Sequence, residues 1–95
     1  MARIKTHPGQ ILKEELVARR LSANRLALDL GVPSGRIVDI LNGKRSVTPD
    51  TALRLSRYLG NSAQFWMNLQ TQYDLSVAES AHGAEIATRV ARAAE

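Results

Sequence analysis

Apolar residues recur three and four positions apart along nearly the whole chain, and no run alternates apolar and polar for long enough to make a strand. The pattern predicts an all-α domain of five helices followed by a tail. Thr6-His7-Pro8-Gly9 opens the first helix, since proline is tolerated in a first turn, where its missing N–H costs no hydrogen bond. Ile11, Leu12 and Leu16 then face inward. Ser22 is placed to cap a second helix whose buried stripe is Leu26, Ala27 and Leu30, and Gly31 stops it in the left-handed conformation that glycine adopts freely. Pro33 pushes Val32 toward an extended backbone, and Ser34 is read as the cap of a third helix, Gly35 to Leu41, with Ile37, Ile40 and Leu41 inward. Asn42-Gly43 closes it.

Thr48-Pro49-Asp50 is the clearest helix start: a capping hydroxyl, proline at the first helical position and a carboxylate at the positive end of the helix dipole. Ala52, Leu53, Leu55 and Leu59 form the apolar set of this fourth helix, and Gly60 ends it. Asn61 with Gln64 reads as a capping box for a fifth helix carrying Phe65, Trp66, Leu69 and Tyr73. These aromatics are expected in the core for at least half their number, the remainder being available for a dimer seam. Residues 1–75 are expected to form one domain. Residues 76–95 read as an Ala-rich tail, either helical or frayed, with Gly83 interrupting its apolar spacing.

Leu21 to Gly43, LSANRLALDLGVPSGRIVDILNG, carries the functional signal. Two short helices meet at a tight turn, with small Ala27 where they touch, Gly31 at the turn, Val32 plugging into the core, and Ile37 with Ile40 or Leu41 anchoring the second helix from behind. That is the spacing of a helix-turn-helix. With its back buried, the second helix offers Ser34, Gly35, Arg36 and Asp39 outward, and a helix has the width of the DNA major groove.

Charge agrees with this reading. The 95 residues carry thirteen Lys and Arg against nine Asp and Glu. Residues 1–60 hold eleven of the basic side chains and only five of the acidic ones, so the anion-seeking part coincides with the predicted helix-turn-helix. There is no cysteine, which excludes disulfides, thiolate nucleophiles and zinc-thiolate sites and fits a reducing cytoplasm. No stretch approaches the ~20 apolar residues of a membrane span, and the Met1 to His7 start lacks the apolar run of a secretory signal. His7 and His82 have no ligand partners nearby in sequence, and no acid–base pair, phosphate loop or nucleophilic triad is visible, so neither a metal, a cofactor nor an enzyme is expected.

The Leu, Ala, Gly, Val and Ile spacing resembles the Xre/Cro, lambda repressor-like class of helix-turn-helix. A wider set is more specific: His7-Pro8-Gly9, Asn42-Gly43-Lys44-Arg45-Ser46-Val47-Thr48, Thr51-Ala52-Leu53-Arg54-Leu55 and Phe65-Trp66-Leu69-Gln70. Over residues 4–78 the chain strongly resembles the HigA antitoxins of bacterial toxin–antitoxin modules. The resemblance implies a homodimer that binds double-stranded operator DNA, represses its own operon and neutralises a HigB toxin, a RelE-like ribosome-dependent mRNA endonuclease. One position departs from the wider class: many members carry Gln at the first position of the second helix, and here it is Ala23, so that backbone anchor passes to Asn24 and Arg25.

Within such a complex Arg36 is the residue for direct readout, because a guanidinium pairs with guanine O6 and N7. Ser34 donates to a base or phosphate. Asp39 accepts from a cytosine amino group or holds Arg36 in place, and Lys44 and Arg45 bind backbone phosphate. Gly35 is costly in a helix yet permits close approach to a phosphate. The bland counterparts are solvated surface charges for Arg36, Lys44 and Arg45, and solvent-facing or salt-bridged roles for Arg25, Arg54 and Arg57. Two other functions fit the same residues: a stand-alone repressor without a toxin, and a helical protein-interaction adaptor that never touches DNA.

Overall fold

The computed structural model describes residues 3–94 and contains five helices in order: α1 (Pro8–Arg19), α2 (Ala23–Leu30), α3 (Ser34–Leu41), α4 (Pro49–Leu59) and α5 (Ala63–Arg89). No strand occurs among the described residues. The predicted starts of α2 and α4 are present: the Ser22 hydroxyl accepts from the Arg25 N–H, and the Thr48 hydroxyl accepts from the Thr51 N–H ahead of Pro49 at the first helical position. Two other expected caps are corrected. Ser34 lies inside α3, whose cap residue is Pro33 with no side-chain hydrogen bond. The Asn61–Gln64 box does not form, because Asn61 accepts from the Trp66 indole N–H at 2.8 Å and leaves the Phe65 N–H to the hydroxyl of Ser62.

Five elements close around Leu12, Leu26, Ile37, Ile40, Ala52, Leu55 and Trp66, none of which exposes any surface. Trp66 is the largest fully buried side chain, and α5 packs chiefly on α4 and α1. Leu53 is not part of this core; it stands 62% exposed on the solvent side of α4. Gly9, in the first turn of α1, is buried directly against the Ile40 carbonyl at the end of α3, which brings the two backbones closer than any side chain would permit. The His-Pro-Gly sequence therefore sets the α1–α3 separation as well as the helix start.

The tail is helical to Arg89, with Gly83 inside α5. Neighbouring alanines and the Glu85–Arg89 pair, four residues apart at 3.5 Å, favour the helix over the local cost of one glycine. From Val77 onward α5 is exposed save for half-buried Gly83, so its distal turns leave the body of the domain. Ahead of α1, the Lys5 N–H donates to the hydroxyl of buried Ser76 at 2.8 Å, pinning the N-terminal segment along α5.

Candidate nucleic-acid interface

The turn between α2 and α3 is built as its residues dictate. Gly31 has φ +73°, its N–H donates to the Leu28 carbonyl, and the Val32 N–H donates to the Ala27 carbonyl at 3.0 Å, which together make a Schellman motif. Half-buried Val32 packs against the core and fixes the direction in which α3 leaves. Ile37 and Ile40 are fully buried, whereas Ser34, Gly35 and Val38 are exposed and Arg36 and Asp39 sit half-buried on the flanks. Val38, 40% exposed on the outward face, is a residue the sequence reading passed over; its methyl groups suit contact with a thymine methyl.

Asn24 and Ser34 line one shallow groove between α2 and α3, so the structure brings these two predicted contacts together. Arg25 is exposed but paired with Asp29 at 3.2 Å, and the Asp29 carboxylate also accepts from the Tyr58 hydroxyl at 2.6 Å. That hydrogen bond, with Arg25 beside it, holds the Asp29 carboxyl below its ordinary value of 3.8. Nothing lies within 4 Å of a side chain added at Gly35, so no contact inside the monomer demands glycine there.

Arg36 is where the structure departs most from expectation. Its partner is not Asp39 one turn away on α3 but Asp50 in the first turn of α4, with Nη1 donating to Oδ2 at 3.1 Å. Asp39 instead lies 3.9 Å from Arg45, and its carbonyl accepts from the Lys44 N–H. Arg54 reaches the same Asp50 oxygen through Nε at 2.9 Å and donates from Nη1 to the Leu30 carbonyl at 2.8 Å, capping the end of α2. Arg36, Arg45, Ser46, Thr48, Asp50, Thr51 and Arg54 line a cleft of about 390 Å³ between α3, the following connector and α4. Arg54 and Arg36 together keep the Asp50 carboxyl below 3.8, so in the cleft two guanidinium groups flank one charged carboxylate near neutral pH, while Arg45 on the cleft wall pairs with Asp39.

Two residues outside the predicted set shape this region. Gln70, buried on α5, accepts from the Val47 N–H at 2.7 Å and so anchors the connector that carries Lys44 and Arg45. His7 accepts from the Gly9 N–H through Nδ1 at 2.8 Å, meets the Tyr73 ring edge-on at 4.8 Å, and lies beside Gly43. Burial lowers the His7 pKa from its ordinary 6.5 against the opposing pull of Asp74 and the Arg45 backbone. A depressed histidine means that the unfolded chain binds more protons, so the stability from neutral His7 is complete above pH 6.5 and is lost as pH falls through the lower folded value. His7→Asn keeps a capping oxygen and removes the titration. Its melting temperature is expected to fall less than that of the wild type between pH 7 and pH 5, and parallel curves would remove His7 from the pH response.

Among the described residues no helix is long and apolar enough to cross a membrane, and no group of three or more His, Cys, Asp or Glu could hold a metal ion. The fold and its turn define a helix-turn-helix protein of the Xre/Cro type. A helix-turn-helix family model, HTH_3, matches residues 12–66. The chain is 54% identical over 74 residues to virulence-associated protein I of Dichelobacter nodosus, covering 77% of this chain and 68% of that protein. It superposes on an addiction module antidote protein of the HigA family from Coxiella burnetii with a TM-score of 0.91 and 44% identity, covering 96% of this chain and 100% of that one. The Pseudomonas aeruginosa antitoxin HigA, solved with the higBA promoter, superposes with a TM-score of 0.90 at 40% identity, covering 94% and 98%. The chain belongs to the HigA family of helix-turn-helix antitoxins. Its relatives are antitoxins and helix-turn-helix regulators rather than enzymes.

Proposed function

We propose that this chain is a cytoplasmic, homodimeric antitoxin that binds operator DNA upstream of its own gene, represses that operon and neutralises a HigB/RelE-like mRNA endonuclease toxin. The observation that carries the DNA-binding part is the orientation of α3: Ile37 and Ile40 are fully buried, leaving Ser34, Gly35 and Val38 on its open side with Arg36 at the edge. Arg36 reads a guanine, Ser34 and Asn24 contact a base or phosphate, and Gly35 lets the backbone approach. Lys44 and Arg45, exposed just past α3, take backbone phosphates and supply affinity without sequence information. Arg25, held by Asp29, contributes charge to the same flank, and Asp39 serves as an acceptor beside Arg45.

One such module buries only ~600–1,000 Å² on DNA, so two are needed for firm binding, and their recognition helices must be one helical turn or a multiple of it apart. The toxin-neutralising part rests on kinship, the relatives being described as an antitoxin and an antidote protein of an addiction module. A hydroxyl-radical footprint on the DNA upstream of the gene is expected to show two protected patches centred about 34 Å apart, or a multiple of that, on a near-palindrome. Uniform cleavage across that DNA would reject the operator reading. Co-purification with the product of the adjacent reading frame addresses the toxin separately.

A further inference from the structure

We propose that Asp50, which lies outside the helix-turn-helix, is the positioning residue that sets sequence discrimination by holding Arg36 with one edge of its guanidinium presented to the duplex. This proposal rests on the operator-binding reading above. The Asp50 carboxylate is the middle link of a chain that starts at Arg36 on α3, passes through Arg54 on α4 and ends on the Leu30 carbonyl at the end of α2. Both guanidinium groups meet the same oxygen, Oδ2, at 3.1 and 2.9 Å. The side chain of Arg36 is thereby fixed relative to both helices of the motif and to α4 at once. Among the described residues only its Nη1 is engaged, so the Nε and Nη2 edge keeps the two parallel N–H groups that pair with guanine O6 and N7.

The same carboxylate works against indiscriminate binding. A phosphate that drew Arg36 away would have to break the ion pair and approach a negative charge in the cleft shared with Arg45 and Arg54. A guanine edge presented to the tethered arginine asks for neither. Specificity is a difference between two affinities, and Asp50 widens it chiefly by weakening the wrong complex.

The test compares the wild type with Asp50→Asn, Arg36→Ala and the double variant in competition between the upstream duplex and a scrambled duplex of equal length, at two salt concentrations. The Asp50 side chain is 59% exposed, and surface ion pairs of this kind contribute little to stability, so Asp50→Asn is expected to fold and melt close to the wild type. It should bind the scrambled duplex more tightly by roughly fivefold per subunit at 0.15 M salt, with a salt dependence steeper by about one phosphate contact per subunit. Discrimination should fall by at least that factor. Combined with Arg36→Ala, the same substitution should leave discrimination unchanged, because Asp50 acts through Arg36. Glu14→Gln, an equal change of charge on the exposed side of α1, is the control and should discriminate like the wild type.

Asp50→Asn with wild-type discrimination would overturn the proposal, as would an equal loss from Glu14→Gln or an undiminished effect of Asp50→Asn without Arg36. If the wild type itself fails to prefer the upstream duplex, the operator reading falls and this proposal with it, an outcome read from the wild-type arm alone.

Discussion

Replacing Gly9 with alanine is expected to destabilise the domain by about 3 kcal/mol, the upper end of the cost of overpacking, and so to lower its melting temperature by roughly 12–24 °C. The added methyl group would overlap the Ile40 carbonyl oxygen and come within 2.9 Å of its carbon and 3.0 Å of His7 Nδ1. Two of those three atoms are backbone. No rotamer change relieves the overlap, so α1 and α3 must separate, and Ile40, which exposes no surface, loses its packing with them. Gly35→Ala is the internal control: with nothing within 4 Å of the new methyl group, it should melt at or above the wild-type temperature. Thermal unfolding followed by circular dichroism measures both, and an unchanged melting temperature for Gly9→Ala would refute the close α1–α3 contact. Because α3 is the helix displaced, the same variant links a packing defect in α1 to the presentation of the side chains proposed to face DNA.

Local rules were sufficient wherever one residue has one outlet. Gly31 was legible as the motif's turn because a residue at φ +73° is strained unless it is glycine, and Ser22 and Thr48 were legible because each carries its hydroxyl directly ahead of the first helical residue. Where two residues competed, the outcome depended on distant partners. Asn61 and Ser62 can each cap α5, and the indole N–H of fully buried Trp66 claims Asn61. Arg36 shows the same limit at the site. A spacing of three made Asp39 its natural partner, whereas the connector and Pro49 bring Asp50, fourteen positions on, to the open end of the Arg36 guanidinium. Asp39 is left for Arg45.

Gly9 was read only as part of a helix start, since its role depends on Ile40, thirty-one residues away, and no periodicity encodes a contact between two backbones. Leu53 was placed inward because apolar spacing alone widens the stripe of α4; the true inward set is Thr51, Ala52, Leu55 and Leu59. The helical tail was the reverse case. Gly83 argued for a break, and the alanines around it carried the helix through to Arg89.

The other large effect concerns Arg36 itself. Its guanidinium is neither sealed in the core nor free in solvent: the side chain is 30% exposed and tied to Asp50 through Nη1, and among the described residues its Nε and Nη2 make no hydrogen bond. Removing it costs the domain little, because a surface ion pair contributes little to folding. On the proposed reading it costs the complex a bidentate guanine contact, about 1–3 kcal/mol of discrimination for each recognition helix, or roughly 5- to 150-fold in relative affinity. The most direct measurement is therefore electrophoretic retardation of the upstream DNA by the wild type and by Arg36→Ala, each competed with scrambled duplex, with the melting temperature of both proteins recorded. Selective retardation that disappears in Arg36→Ala while the melting temperature holds is the predicted result. Equal selectivity in the two proteins would contradict it and remove Arg36, and with it this face of α3, from the reading of sequence.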